Sequence, residues 1–275
     1  MVISKKKKVF QYLLLVVVGI FFFFPFVWLV STSLKTDAQI FTFPPKWIPD
    51  PVMWSNYKDA LNAIPFMHYV WNTVKIVFFA VLGNLISAPA IGYAFAKLHW
   101  RGRDKLFVLV LATMMLPFQI TMIPLYSMYV KLDWINSYLP LVVPDFFGKA
   151  YFIFLMRQFF RSIPEELSEA ARIEGASEFR IFWNIILPLA KPAIVTVGLF
   201  AFIWSWTDFL GPLIYLTDST KWTISIGLTQ FTTSHGLDWK LLMAGSTMFM
   251  LPMAIIFFFM QRVFIEGINM SGLKQ

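Results

Sequence analysis

Two groups of residues have types and spacings suited to chemistry. The first is Trp204, Trp206 and Asp208, followed by Phe209, with Asn84 and Gln119 in two other stretches that are otherwise apolar. Carboxylates and amides bind hydroxyl groups, and aromatic faces stack on the C–H surfaces of pyranose rings, so this set composes a path for a sugar. The same rings also suit packing between helices or the interfacial belt of a membrane. An ionisable group inside a bilayer costs about 2.5–3.5 kcal/mol on insertion scales and normally faces protein or water. Asp208 is read as the acidic residue lying well inside such a stretch. The second group is Glu169-Ala170-Ala171, where two small side chains allow another backbone to come close and a carboxylate stands beside them. It reads as a knob for a partner's groove, or as a helical loop at the headgroups. Other chemistries are excluded. There is no cysteine, hence no thiolate catalysis, disulfide or Cys-ligated zinc. His68, His99 and His235 are too far apart for metal-ligand spacing. Gly267 and Gly272 are spaced as in a phosphate-binding loop, but Leu273 stands where lysine is needed, so that route to ATP is absent.

The elements that position these residues follow from composition. Of 275 residues, 58% are hydrophobic and 14% charged. Soluble chains carry roughly a quarter charged residues, so an ordinary soluble domain and a disordered chain are both excluded. A hydrocarbon core of about 30 Å needs about 20 apolar residues per helix. Six such runs are read, at 9–31, 69–96, 106–130, 138–160, 193–216 and 241–263. They are too long and too uniform for strands. The expected fold is therefore all-α, a polytopic membrane protein with six transmembrane helices. The first run follows Lys5–Lys8 and exceeds the 7–15 residues of a cleavable signal core, so it reads as an uncleaved helix.

Charge orients the spans. With the N-terminus in the cytoplasm, the inner segments collect Lys5–Lys8, Lys97, Arg101, Arg103, Lys105, Arg157, Arg161, Arg172, Arg180, Lys191, Arg262 and Lys274, and the whole net charge of +8 falls on that face. The positive-inside rule explains this without nucleic acid as a partner, and both termini come out cytoplasmic. Pro25, Pro89, Pro117, Pro124, Pro212 and Pro252 interrupt the runs. Pro117 and Pro124 flank Gln119, which marks the third span as a broken, path-lining element.

The cytoplasmic insert, 162–188, reads as two short helices joined by a turn. Ser162 and Glu165 match a capping box, and Pro164 suits a first turn. Gly175 is placed to end the helix left-handed, and Ser177 to cap the next. Phe179, Phe182, Trp183 and Ile186 fall on one apolar stripe, and Pro188 ends the second helix.

Glu169-Ala170-Ala171, three residues, Gly175, nine residues, Ile185, one residue, Leu187-Pro188 resembles the full EAA signature of bacterial ABC importer permeases. Ser31 to Lys35, Phe43 to Pro49, Asn56-Tyr57, Trp206 to Phe209 and Gly211-Pro212-Leu213 are similar to the carbohydrate-uptake, MalG-type members, which more often carry Asn where this chain has Asp208. The tail, 264–275, is similar to the family tail that reaches the ATPase dimer. The resemblance implies that the insert is a coupling-helix hairpin docking into the ATPase, with Glu169, Ala170, Ala171, Gly175, Ile185, Leu187 and Pro188 as its signature residues. It implies a heterodimer with a homologous second permease subunit, an ABC ATPase dimer and an extracytoplasmic solute-binding protein facing the external segment 217–240, all in the bacterial cytoplasmic membrane. It also implies that this chain is no enzyme and binds no cofactor itself, ATP and Mg²⁺ being used by the ATPase. The expected cargo is a sugar or oligosaccharide, carried by alternating access. The alternatives are an importer permease for a non-sugar solute, a membrane enzyme acting on lipid-linked sugars, and a stand-alone channel.

Overall fold

The structure, a computed structural model, describes residues 5–233 and 236–272, with side chains described for 7–232 and 236–261. His235, Leu273 and the side chains of the 264–275 tail, about which the sequence raised expectations, lie outside the described residues. The elements in order are α1 (Lys5–Ser33), α2 (Asp37–Ile40), α3 (Ser55–Ala63), α4 (Phe66–Ala96), α5 (Arg103–Thr113), α6 (Phe118–Lys131) and α7 (Leu139–Val142). Next come α8 (Ala150–Ser162), α9 (Glu166–Ile173), α10 (Glu178–Ile181), a π-helical turn Phe182–Ile186, α11 (Leu187–Leu189), α12 (Lys191–Trp206), α13 (Leu210–Tyr215), α14 (Ile224–Gly227) and α15 (Trp239–Gly272). One departure from the all-helical expectation is a two-residue antiparallel pair, β1 (Thr232–Thr233) with β2 (Gly236–Leu237). It closes a polar turn, where the apolar periodicity that marks the helices is missing.

Among the described residues, four helical stretches are long and apolar enough to cross a membrane: Lys7–Ser33, Phe66–Ala96, Leu139–Ser162 and Trp239–Gln261. Two bent pairs add up to two more: α5 with α6 at 98°, and Glu178–Leu189 with α12 at 78°. The first bend falls at Pro117, whose φ −66° and ψ 143° are extended. Its ring would collide with the carbonyl four residues back, so the helix stops and restarts. Pro25, Pro89, Pro124 and Pro252 stay inside continuous helices, which membrane helices tolerate when neighbours satisfy the freed carbonyls.

The chain forms two compact units. One runs to Met67 and includes Gly227–Pro252; the other comprises His68–Ile226 and the stretch from Met253. In the first unit the turn after α1 is fixed by long-range hydrogen bonds. The Asn56 amide donates to the carbonyls of Ser33 and Lys35, both at 2.9 Å, and the Ser33 hydroxyl meets that of Tyr57 at 2.7 Å. Thr36 and Gln39 form a reciprocal capping box on α2. The buried Lys35 holds its ammonium 4.1 Å from the Trp28 ring.

The core of the second unit gathers Ala88 and Tyr93 of α4, Phe152, Met156 and Phe160 of α8, Ala171, Ile181 and Ile186 of the insert, and Ala193, Val197 and Ala201 of α12. The insert is thus packed into the bundle, with α4, α8 and α12 as its floor.

Candidate functional site

The insert is built from the Ile163 joint upward. Ile163 precedes Pro164, which restricts it to an extended conformation, φ −77° and ψ 127°. That ends α8 at Ser162, so the expected capping box does not form. The Ser162 hydroxyl turns back to the Phe159 carbonyl at 2.7 Å. Glu165 is taken by other partners, Lys97 at 2.9 Å and Arg172 at 3.2 Å. At the other end of α9, Gly175 is left-handed with φ +81°, and the Ala176 N–H closes on the Ala171 carbonyl at 2.9 Å. Ser177 caps α10 by accepting from the Arg180 N–H at 3.4 Å.

The expected apolar stripe splits. Ile186 is fully buried and Phe182 packs against the core, whereas Phe179 and Trp183 are 72% and 51% exposed and pair edge to face. The cause is the π turn, which inserts one residue into the helical rotation. It lies just before Pro188, whose ring would clash with the carbonyl four residues back, and the Leu187 N–H reaches back to Phe182. Nor does the helix end at Pro188: it runs through Leu189 and bends at Ala190.

This geometry sorts the signature residues. Ala171 is buried, Ile185 and Leu187 are half-buried, and Glu169, Ala170, Gly175 and Pro188 are exposed. Glu169 and Ala170 share their surface with Leu167 and with Ile173, which is 88% exposed. The result is a short rigid helix presenting apolar and acidic groups to the outside while its other face is fastened down. Burial pushes the Glu165 carboxyl up, but hydrogen bonds from Lys97 and Arg172 outweigh it and hold Glu165 below the ordinary glutamate value. The hydrogen bond from Arg172 does the same for Glu178 against its burial, helped by the Tyr93 hydroxyl.

Deeper in the same unit a cavity is lined by Thr73, Asp145, Lys149, Trp204, Ser205 and Asp208, with apolar Ile76, Leu141 and Pro212. Asp208 follows the end of α12 and accepts from the Gly211 N–H at 3.1 Å, in the first turn of α13. A Cβ at Gly211 would stand 2.5 Å from Asp208 Oδ2, so a larger residue there would require the carboxylate to turn. Asp145 is buried and paired with Lys149 at 2.7 Å. Trp204 lines the cavity but stacks one face on Phe152, ring centres 4.9 Å apart. Asn84 is fully buried beside Asp145, donating to the Ala80 carbonyl at 2.8 Å, and its Oδ1 has no partner among the described residues. Trp206 is buried in a stack with Phe202, and Gln119 is exposed on the first turn of α6; neither joins the cavity.

Residues 85–269 match the family described as the binding-protein-dependent transport system inner membrane component. The chain belongs to this family. The permease is therefore a multi-pass membrane component of an ABC importer rather than an enzyme, in a class of systems whose ATPase is a separate subunit. It is 36% identical over 245 residues to the arabinooligosaccharides transport system permease protein of Halalkalibacterium halodurans, covering 89% of this chain and 86% of that protein. It is 30% identical over 269 residues to the sn-glycerol-3-phosphate transport system permease protein of Yersinia enterocolitica, covering 94% and 95%. Among solved structures it resembles a bacterial ABC transporter involved in the import of the acidic polysaccharide alginate. The TM-score is 0.81 at 24% identity, covering 95% of this chain and 99% of that one, a likeness of fold.

Sequence reading of the permease missed the Asp145–Lys149 pair. Asp145 lies within 138–160, so Asp208 is not the only acidic residue inside a span. The i, i+4 spacing of opposite charges in an apolar run was the available signal.

Proposed function

We propose that this chain is one of two permease subunits of an importer for a sugar or oligosaccharide. It would work with a homologous second permease, an ATPase dimer that uses ATP and Mg²⁺, and an extracytoplasmic binding protein. The observation that carries the sugar assignment is the 36% identity, over nearly the whole chain, to a permease named for arabinooligosaccharides. The cavity chemistry agrees with it: hydroxyls of Thr73 and Ser205, carboxylates of Asp145 and Asp208 and the Trp204 ring are groups that bind polyols.

In this reading 162–188 is the coupling insert, with both termini cytoplasmic. The exposed Glu169–Ala170 edge docks into the ATPase, Gly175 sets the turn, and Ile185, Leu187 and Pro188 join the insert to the next span. Closure of the ATPase dimer moves the insert, and the bundle converts between inward- and outward-facing states. Trp204, Asp208 and Asn84 border the polar interior, and Trp206 and Gln119 support or flank the path on other surfaces.

The test is uptake by proteoliposomes holding the complete transporter and its binding protein. ATP-dependent uptake of a neutral oligosaccharide, abolished with binding-protein-stimulated ATPase by Glu169→Lys in a normally assembled complex, is the expected result. Normal uptake by that variant would overturn the coupling assignment. The 30% identity to a glycerol phosphate permease favours a second reading, a small polyol phosphate as cargo. Uptake of phosphate esters alone would put it in place of the first.

A further inference from the structure

The polar side chains beneath the insert form a closed circuit that begins and ends on α4. Tyr93 stands in the last turn of α4 and Lys97 immediately past its end. The Lys97 ammonium, buried, donates to the Ile163 carbonyl at 2.7 Å and to Glu165 Oε2 at 2.9 Å. Arg172 Nη1 donates to the other oxygen, Glu165 Oε1, at 3.2 Å. Arg172 Nε donates to Glu178 Oε1 at 2.6 Å. The Tyr93 hydroxyl, in a residue that is itself buried, donates to Glu178 Oε2 at 2.7 Å. Each carboxylate thus spends its two oxygens on two different donors. The circuit fastens the joint before α9 and the first turn of α10 to the end of α4, and Arg172, in the last turn of α9, links the two carboxylates.

We propose that Tyr93 and Lys97 are positioning residues that brace the insert against α4, so that any displacement of Glu169 is delivered to that helix. The proposal rests on the coupling reading of Glu169. Attachment alone does not require these groups. Ala171, Ile181 and Ile186 already bury against α8 and α12, and apolar contacts hold two elements together without desolvating a hydroxyl and an ammonium, as the buried Tyr93 and Lys97 require. Apolar contacts let helices slide, whereas charge-assisted hydrogen bonds fix direction and register. With the joint before α9 and the first turn of α10 tied to its end, α4 cannot stay still while α9 translates unless at least two of these bonds break. The same α4 runs unbroken from Phe66 to Ala96 and contributes Thr73 and Ile76 to the cavity, so a push at Tyr93 and Lys97 arrives where the polar interior lies.

The experiment uses the assembled transporter in proteoliposomes and compares Tyr93→Phe, Glu178→Gln and Glu169→Lys with the unmodified complex. Four quantities are read: assembled complex, basal ATPase, binding-protein-stimulated ATPase and substrate moved per ATP. Tyr93→Phe keeps the ring and removes one hydrogen bond; Glu178→Gln keeps the shape and removes the charge. Both are expected to assemble and retain basal ATPase while stimulation and transport per ATP fall about five-fold or more. The brace is overturned if transport per ATP is unchanged in both variants while Glu169→Lys is inactive. It is also overturned if assembly, basal ATPase and transport decline in parallel in both, which is what a purely stabilising role produces. Normal transport by Glu169→Lys removes instead the coupling reading on which the brace stands.

Discussion

Gly92 of α4 and Met156 of α8 set the distance between their two helices: a Cβ on Gly92 would stand 2.7 Å from the Met156 Cβ and 3.2 Å from the Arg157 nitrogen. Neither contact is the far end of a flexible side chain, so backbone must move to admit even one methyl. Alanine gains about 1 kcal/mol in helix propensity over glycine, against about 1–3 kcal/mol for overpacking. Gly92→Ala should lower thermal stability in detergent modestly, and Gly92→Val by several degrees. A Gly92→Val protein as stable as the original would show that the helices separate freely.

Gly175 offers a different test, because its constraint is purely backbone. Nothing lies within 4 Å of a Cβ placed there, yet φ is +81°. Gly175→Ala should destabilise the end of α9 by about 1 kcal/mol, seen as faster amide exchange across 171–176, while Gly175→Asn loses less. Equal exchange in the alanine variant and the original would contradict the left-handed turn.

The insert should respond to acid in one direction. Glu165 and Glu178 are both held below the ordinary glutamate value of 4.5. Their contribution is complete above that value, where both the folded and unfolded carboxylates are ionised. It is lost as pH falls through the lower folded values, where the carboxylates take up protons. A Glu178→Gln transporter should therefore show a stability deficit that is flat from pH 7 down to about 5 and narrows below it. The check is thermal unfolding of both proteins across that range; a deficit that disappears by pH 6 would mean another group titrates.

Lys149 and Asp145 form the remaining pair to test. Lys149→Met leaves the buried Asp145 carboxylate without its counter-charge, expected to cost about 3 kcal/mol. Asp145→Asn combined with Lys149→Met removes both charges and should recover most of that loss. A double-mutant cycle by thermal unfolding measures the coupling; strictly additive effects would show that the two charges act independently.

How far the sequence was legible depended on the range of the interactions that decided each feature. Gly175 and Ser177 could be read directly, since a left-handed turn and a helix cap are settled within four residues. The signature spacing from Glu169 to Pro188 was equally plain. The Ser162–Glu165 box failed because Pro164 holds Ile163 extended and leaves Ser162 as the last residue of α8; that Glu165 instead meets Lys97, 68 positions away, is announced by no local pattern. Asn56 was visible as part of a motif, but its hydrogen bonds to Ser33 and Lys35 needed the fold. The six apolar runs showed where helices lie, whereas the 98° and 78° bends depend on how each broken helix restarts.

The π-helical turn Phe182–Ile186 also governs aim. Each residue of an α-helix turns the chain by about 100°, so the single surplus residue there acts as an angular offset between the helical segments on its two sides. Deleting one residue from this turn would preserve every side chain of the Glu169 knob, yet swing it roughly a quarter of a revolution about the axis of the 178–189 helix, pointing an intact key away from its lock.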